Sequence, residues 1–237
     1  MSAAATTGGA PGTARRMRRA LETLYDAWGF APPAKVLEAR FGGAGAALRR
    51  LLGTWADSPA AAEAATLTRQ AMQDQDRSGR PLFAAHAALG WPEEPHLALW
   101  HGATLYREFR GDGHVASLLT DGVGGCEAHV LAAAAGQLPG SLLREYRGWS
   151  DEEWAEAAAG LRSRGWLEAD GALTEAGRAA RAARERRTDD LAMPPWRQLG
   201  PDGCARLLEL LDQPIRLVVE GDGIPFPNPV GLPAPSA

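Results

Sequence analysis

The stretch SDEEWAEAAAGLRSRGWLEADGALTEAGR, residues 150–178, decides the fold. Ser150-Asp151-Glu152-Glu153 is a capping box: the Ser150 hydroxyl can satisfy a free amide of the first turn while the Glu153 carboxylate reaches back to the amide of Ser150. A helix must therefore start at Asp151. Trp154, Ala157, Ala158 and Leu161 recur on one side of it at helical spacing, and Gly165 supplies the stop. Trp166-Leu167-Glu168, the turn pair Asp170-Gly171 and then Leu173 predict strand, tight turn and strand. Thr174 is an N-cap for a long arginine-rich helix to about Leu191, broken by Pro194 and Pro195.

Upstream, the loop 121–125 leads into a predicted helix over 126–135, and a shorter one covers 141–146. From Pro95 the apolar set Leu97, Leu99, Trp100, Leu105, Tyr106, Phe109, Val115, Leu118 and Leu119 predicts one long helix, with a bend near Gly111. Ser58-Pro59 opens another helix through Leu67 and Met72, ended by Ser78-Gly79, and a short one starts near Pro81. Val36, Leu37, Phe41, Leu48, Leu51 and Leu52 mark a further helix, and Leu21, Leu24, Tyr25 and Trp28 mark one that Pro32 and Pro33 stop. Residues 1–14 lack periodicity and read as a disordered tail. Downstream, Leu207, Leu208, Leu210, Leu211, Ile215 and Val218 predict a helix over 202–219 with a kink at Pro214, followed by an extended proline-rich end whose stretch 224–232 would strap the helical half, with Phe226 as a lid.

Composition sets bounds without naming a substrate. The chain has 237 residues, 45% hydrophobic and 23% charged, with a formal net charge of -4. That is a globular profile, and a chain of this length buries enough surface to fold unaided. Cys126 and Cys204 form no CxxC pair, so small reduced thiols are expected and a structural zinc is not. No apolar run reaches membrane length and the start has no signal-peptide core, so a cytoplasmic protein without a membrane partner is expected. Gly42-Gly43-Ala44-Gly45 has no preceding strand and is no nucleotide fingerprint.

The order helix 126–135, helix 141–146, helix 151–164, hairpin and long helix is similar to a winged helix-turn-helix. In particular, Leu161-Arg162-Ser163-Arg164-Gly165-Trp166-Leu167-Glu168, Asp170-Gly171 and Leu173-Thr174-Glu175-Ala176-Gly177-Arg178 resemble the recognition-helix end, wing and next-helix start of MarR-type regulators. A broader resemblance, over most of residues 25–233, is to a largely uncharacterised actinobacterial family of helix-turn-helix-related proteins. It rests on Trp100-His101, Arg107-Glu108, Arg110-Gly111-Asp112-Gly113-His114-Val115-Ala116, Arg147-Gly148-Trp149-Ser150 and Gly223-Ile224-Pro225-Phe226-Pro227-Asn228-Pro229. The resemblance implies a mainly α fold, with a helical N-terminal half and a winged helix-turn-helix module carrying a small β-hairpin wing. The organisation is then a tail over 1–14, a helical domain over 15–120, a winged-helix module over 121–193, and a C-terminal helix and strap over 194–237.

Charge argues against direct reading of DNA by that module. A recognition helix needs basic or amide side chains in its first half, but between Gly148 and Leu173 six carboxylates stand against two arginines, Arg162 and Arg164. Each carboxylate near a phosphate opposes counterion release. Arg178 and Arg181, with Arg162 and Arg164, are the residues that would touch DNA in the alternative reading. Arg184, Arg186 and Arg187 continue the basic stripe, read as a solvated face.

The densest chemistry lies on the long helix. His101, Glu108 and Asp112 fall on one stripe, and Trp100, Arg107 and His114 on its neighbour. Together with Arg110 they predict the wall of a small-molecule cleft between the two halves, Arg107 and Arg110 holding an anionic group and a histidine with a carboxylate available for proton transfer. Intra- and inter-helical salt bridges are the competing reading of the same residues. Gly111 and Gly113, on either side of Asp112, would admit a ligand or another backbone. No catalytic residue, cofactor or metal ligand set can be named. The two functional readings are thus a small-molecule-binding protein, sensing or transforming its ligand, and a MarR-like DNA-binding regulator acting as a homodimer.

Overall fold

The computed structural model describes residues 31–224, and these are mainly helical. The tail, the helix around Trp28 and the strap with Phe226 lie outside the described residues. The described chain divides into two units at Ala44 and Gly45, within helix α1 (Pro33–Leu52). In the first unit Pro33 opens α1, and Lys35 pairs with Glu38 at 2.7 Å.

The second unit continues with the end of α1, a 3-10 turn (Gly53–Asp57) and α2 (Pro59–Met72). Ser58 caps α2 as its position predicts, its Oγ accepting the amide of Ala61 at 3.1 Å. The helix stops at Met72, well before Ser78-Gly79, because the backbone turns extended at Gln73 and left-handed at Asp74 (φ 58°). Helix α3 (Pro81–Ala87) follows, and then α4 (Pro95–Thr120), which runs unbroken through Gly102, Gly111 and Gly113.

Helix α4 is the spine of this unit. Ala61, Ala64, Ala65 and Ala71 give α2 a face of small buried side chains. That lets α4 come close enough that a Cβ on Gly102 would lie 2.0 Å from Thr68 Cγ2. Phe83 of α3 and Phe109 of α4 meet edge to face at 5.0 Å, and with Met72 and Leu105 they fill the core beneath α3.

Helices α5 (Gly125–Ala134), α6 (Gly140–Arg147) and α7 (Asp151–Ser163) make up a three-helix module. Gly148 takes the left-handed conformation (φ 63°) in the Gly148-Trp149-Ser150 turn between α6 and α7. The capping box forms in full: Glu153 N donates to Ser150 Oγ at 3.1 Å, and Ser150 N donates to Glu153 Oε2 at 2.8 Å. Val123, Val130, Leu131, Ala157, Leu161, Leu167 and Leu173 close one core beneath these helices.

The predicted β-hairpin wing does not form. Among the described residues there is no strand, only an isolated antiparallel bridge between Leu167 and Leu173. Two bonds frame it, Glu168 N to Ala172 O at 2.8 Å and Thr174 N to Trp166 O at 3.1 Å. The reason is length. Gly165 ends α7 and Thr174 already caps α8 (Glu175–Ala192), so each arm has about three residues, too few for a ladder, and a lone two-stranded hairpin is marginal in any case. The mainly helical class holds; the wing does not.

Helix α9 (Pro194–Glu220) starts earlier than the apolar pattern predicts and is interrupted at Gly200 (φ 74°, ψ 167°), a conformation that glycine alone adopts readily. It passes Pro214 and packs Leu207 and Leu210 against Ala64 of α2. No described helix is long and apolar enough to cross a membrane.

Candidate functional site

The polar residues of α4 do not converge on one cleft. Trp100 is half-buried on an apolar cavity of the helical half, while His101 is buried edge to face against Trp91, 5.3 Å between ring centres. The Arg107 side chain is 76% exposed and pairs with its neighbour Glu108. Arg110 bridges to α8, 3.3 Å from Glu185 and 3.2 Å from Asp189. Asp112 is buried, its Oδ2 accepting the amide of Phe83 at 2.9 Å. His114 Nδ1 lies 3.1 Å from Thr188 Oγ1. The helical stripes are real, but α3 packs against one and α8 against another, so the side chains face different neighbours.

The glycines around Asp112 differ as well. A Cβ on Gly113 would come within 3.1 Å of Leu191 Cβ and 3.3 Å of Arg80 Nη1, whereas one on Gly111 would meet only Glu108 Oε2 at 3.9 Å. Gly113 admits a helix, then, rather than a ligand. Arg80 fills that corner: it stacks 3.6 Å over the Phe109 ring, and its Nη2 donates to Leu191 O at 2.8 Å.

His114 does border a cleft, about 260 Å³ between α4, α5 and α8, where Arg181, Arg184, Glu185, His129 and Gln137 join it. The central feature is Arg184, 3% exposed, whose Nε donates to Asp121 Oδ2 at 3.0 Å while its Nη2 is buried without a hydrogen-bond partner among the described residues. Arg187 Nη1 holds the other oxygen of Asp121 at 2.9 Å. Burial opposes ionisation of Asp121, but the hydrogen bonds from Arg187 and Arg184 outweigh it and hold the carboxyl below its usual range.

Both histidines of the cleft have their pKa lowered from the ordinary value. Trp149 Nε1 donates to His129 Nδ1 at 2.9 Å, so a neutral His129 carries its hydrogen on Nε2. Burial, and then the charge of Arg147, lower the His129 pKa. At His114 burial is again the main cause of a lowered pKa; Glu185 opposes it, and Arg110, Arg184 and Arg181 add to it. The cleft therefore offers guanidinium and imidazole groups beside the apolar Leu118, Ala128 and Leu131. Arg184 belongs to the stripe read as a solvated face. Only its position toward α4, set by the Asp121 partner 63 residues away, buries it.

The four arginines of the DNA reading are also dispersed. Arg162 is exposed at the end of α7. Arg164 stacks 3.8 Å over Trp166 and donates to the carbonyls of Gly122 at 3.1 Å and Asp121 at 2.6 Å. Arg178 donates to Leu173 O at 2.6 Å, and Arg181 turns to the cleft. At the start of α7 stand Asp151, Glu152 and Glu153. Among the described residues no group of three histidine, cysteine, aspartate or glutamate side chains could hold a metal ion.

The model of a helix-turn-helix family matches residues 12–225. No curated protein and no solved structure matches the chain.

Proposed function

Since the chain belongs to this helix-turn-helix family, we propose that it binds a small anionic molecule in the cleft between α4, α5 and α8, next to the helix-turn-helix module. The observation that carries the reading is Arg184 Nη2, a buried cationic donor without a hydrogen-bond partner among the described residues, on a side chain lining a cleft that also holds Arg181 and two histidines of lowered pKa. A buried donor left unpaired costs free energy that a carboxylate or phosphate oxygen would recover. Five of the lining residues, Gly125, Ala128, His129, Leu131 and Ala132, belong to α5, so occupancy would bear directly on the packing of the module.

Equilibrium titration of the full chain with benzoate and with inorganic phosphate tests this. Saturable binding of one of these anions is expected, weakened about tenfold, or about 1.4 kcal/mol, by Arg181→Gln and by Arg184→Lys. Arg162→Ala, outside the cleft, should leave it unchanged. Absence of saturable binding by either anion, or equal binding by both cleft variants, rejects the reading.

A second reading, a DNA-binding regulator of MarR type acting as a homodimer, draws on the family match and on the three-residue turn between α6 and α7. The acidic first turn of α7 weighs against it. Titration of labelled upstream duplex beside a scrambled duplex at two salt concentrations separates the two readings. Submicromolar, salt-sensitive preference for the native duplex favours the regulator, and no preference at low salt removes it.

A further inference from the structure

The helical half holds a separate cavity that owes nothing to the cleft at Arg184. A pocket of about 220 Å³, open on one side, lies between the end of α1, the first half of α4 and the last turns of α9, against Leu52, Leu99, Trp100, Leu211, Ile215 and Val218. The wall is aliphatic and aromatic except for one side chain, His96, at the start of α4.

His96 is 1% exposed, and neither ring nitrogen has a hydrogen-bond partner among the described residues. Asp57 Oδ1 stands 3.7 Å from Nδ1, beyond hydrogen-bond reach, and Arg49 holds the other oxygen of Asp57 at 2.6 Å. An imidazole buried without a partner opposes folding, and buried polar groups are nearly always satisfied by protein, water or ligand. One polar group in an otherwise apolar pocket is also how small-molecule sites fix the orientation of their ligands.

The Asp57 carboxylate on the Nδ1 side favours a hydrogen on Nδ1, and in that tautomer Nε2 is the acceptor. We propose that this cavity binds a small apolar alcohol, its hydroxyl donating to His96 Nε2 and its hydrocarbon lying against Leu99, Leu211 and Val218. An engineered cavity of about 150 Å³ takes up benzene, so this one suits a molecule of roughly ten non-hydrogen atoms.

Calorimetric titration of the full chain with 1-octanol and, separately, with octanoate tests the proposal. Wild type is expected to bind 1-octanol saturably and octanoate at least tenfold more weakly. His96→Phe keeps the ring volume and should weaken 1-octanol binding about tenfold without lowering Tm, an outcome that a histidine serving only the fold would not give. Ile215→Trp, at the exposed rim, should abolish binding and leave the fold intact. The proposal is overturned if His96→Phe binds 1-octanol as wild type does, or if octanoate binds more tightly. It is equally overturned if wild type binds no 1-octanol.

Discussion

The carboxylate of Asp112, near the middle of α4, accepts the backbone amide of Phe83 at 2.9 Å and so caps a helix that begins in another part of the chain. The local N-cap of α3, Arg80, offers no side-chain bond. A charged acceptor at a helix N-terminus satisfies a free amide and meets the positive end of the helix dipole. Asp112→Ala should therefore cost about 2 kcal/mol, and Asp112→Asn, which keeps an acceptor, about half of that. Urea denaturation of the two variants checks the ordering; a loss below about 0.5 kcal/mol for Asp112→Ala would show that the contact stabilises nothing.

Two glycines of α4 should respond to alanine with opposite signs. Gly111 faces open space, so Gly111→Ala should gain about 0.5–1 kcal/mol from helix propensity alone. At Gly102 the new Cβ meets the buried Thr68 at 2.0 Å, and Gly102→Ala should lose about 1–3 kcal/mol through overpacking. Combining Gly102→Ala with Thr68→Ala should recover most of that loss. A double-mutant cycle measures the coupling, and additive effects would contradict the close approach.

Asp121 stands between two guanidinium groups at the end of α4, 3.0 Å from Arg184 and 2.9 Å from Arg187. Asp121→Asn leaves the buried Arg184 charge uncompensated and should cost about 3 kcal/mol. Arg187, far more exposed, should cost less when replaced by glutamine. Thermal unfolding of both variants gives the ranking, and a reversed order would mean that Arg184 is compensated elsewhere.

The pH dependence of stability has two windows. His114 and His129 sit below the ordinary histidine value of 6.5 in the folded chain, so the unfolded chain binds protons first as the pH falls. Their contribution is complete above 6.5 and is lost as the pH drops through that value toward the folded ones. Asp121 acts lower down, its stabilisation being lost as the pH falls below 3.8 through its depressed folded value. Denaturation midpoints measured from about pH 8 to about pH 5.5 should decline in the native chain and decline less in the His114→Gln/His129→Gln variant. An unchanged slope would mean that neither histidine titrates differently on folding.

Local chemistry was legible in the chain. Ser58, Ser150 and Thr174 cap the helices that follow them, each through an amide three residues on. Ser150 marks the start of α7, since a capping serine needs nothing beyond its neighbours. Side-chain stripes were legible too, as with His101 and Asp112 on α4. Their partners were not, because a stripe meets whichever helix packs on it.

Tertiary contacts decided the rest. Trp166-Leu167-Glu168 has strand composition, yet capped helices on both sides leave it one bridge, so length overrode propensity. Arg184 and Arg178 look alike in sequence; Asp121 buries the first, and the carbonyl of Leu173 holds the second at the surface. His96, which no motif marks, became the one polar side chain at the start of α4 buried without a hydrogen-bond partner among the described residues, because α1 and α9 close over it. Spacing along a chain sets which residues share a face, whereas burial depends on what distant segments bring to that face, and it is burial that turns a charge or an imidazole into a site.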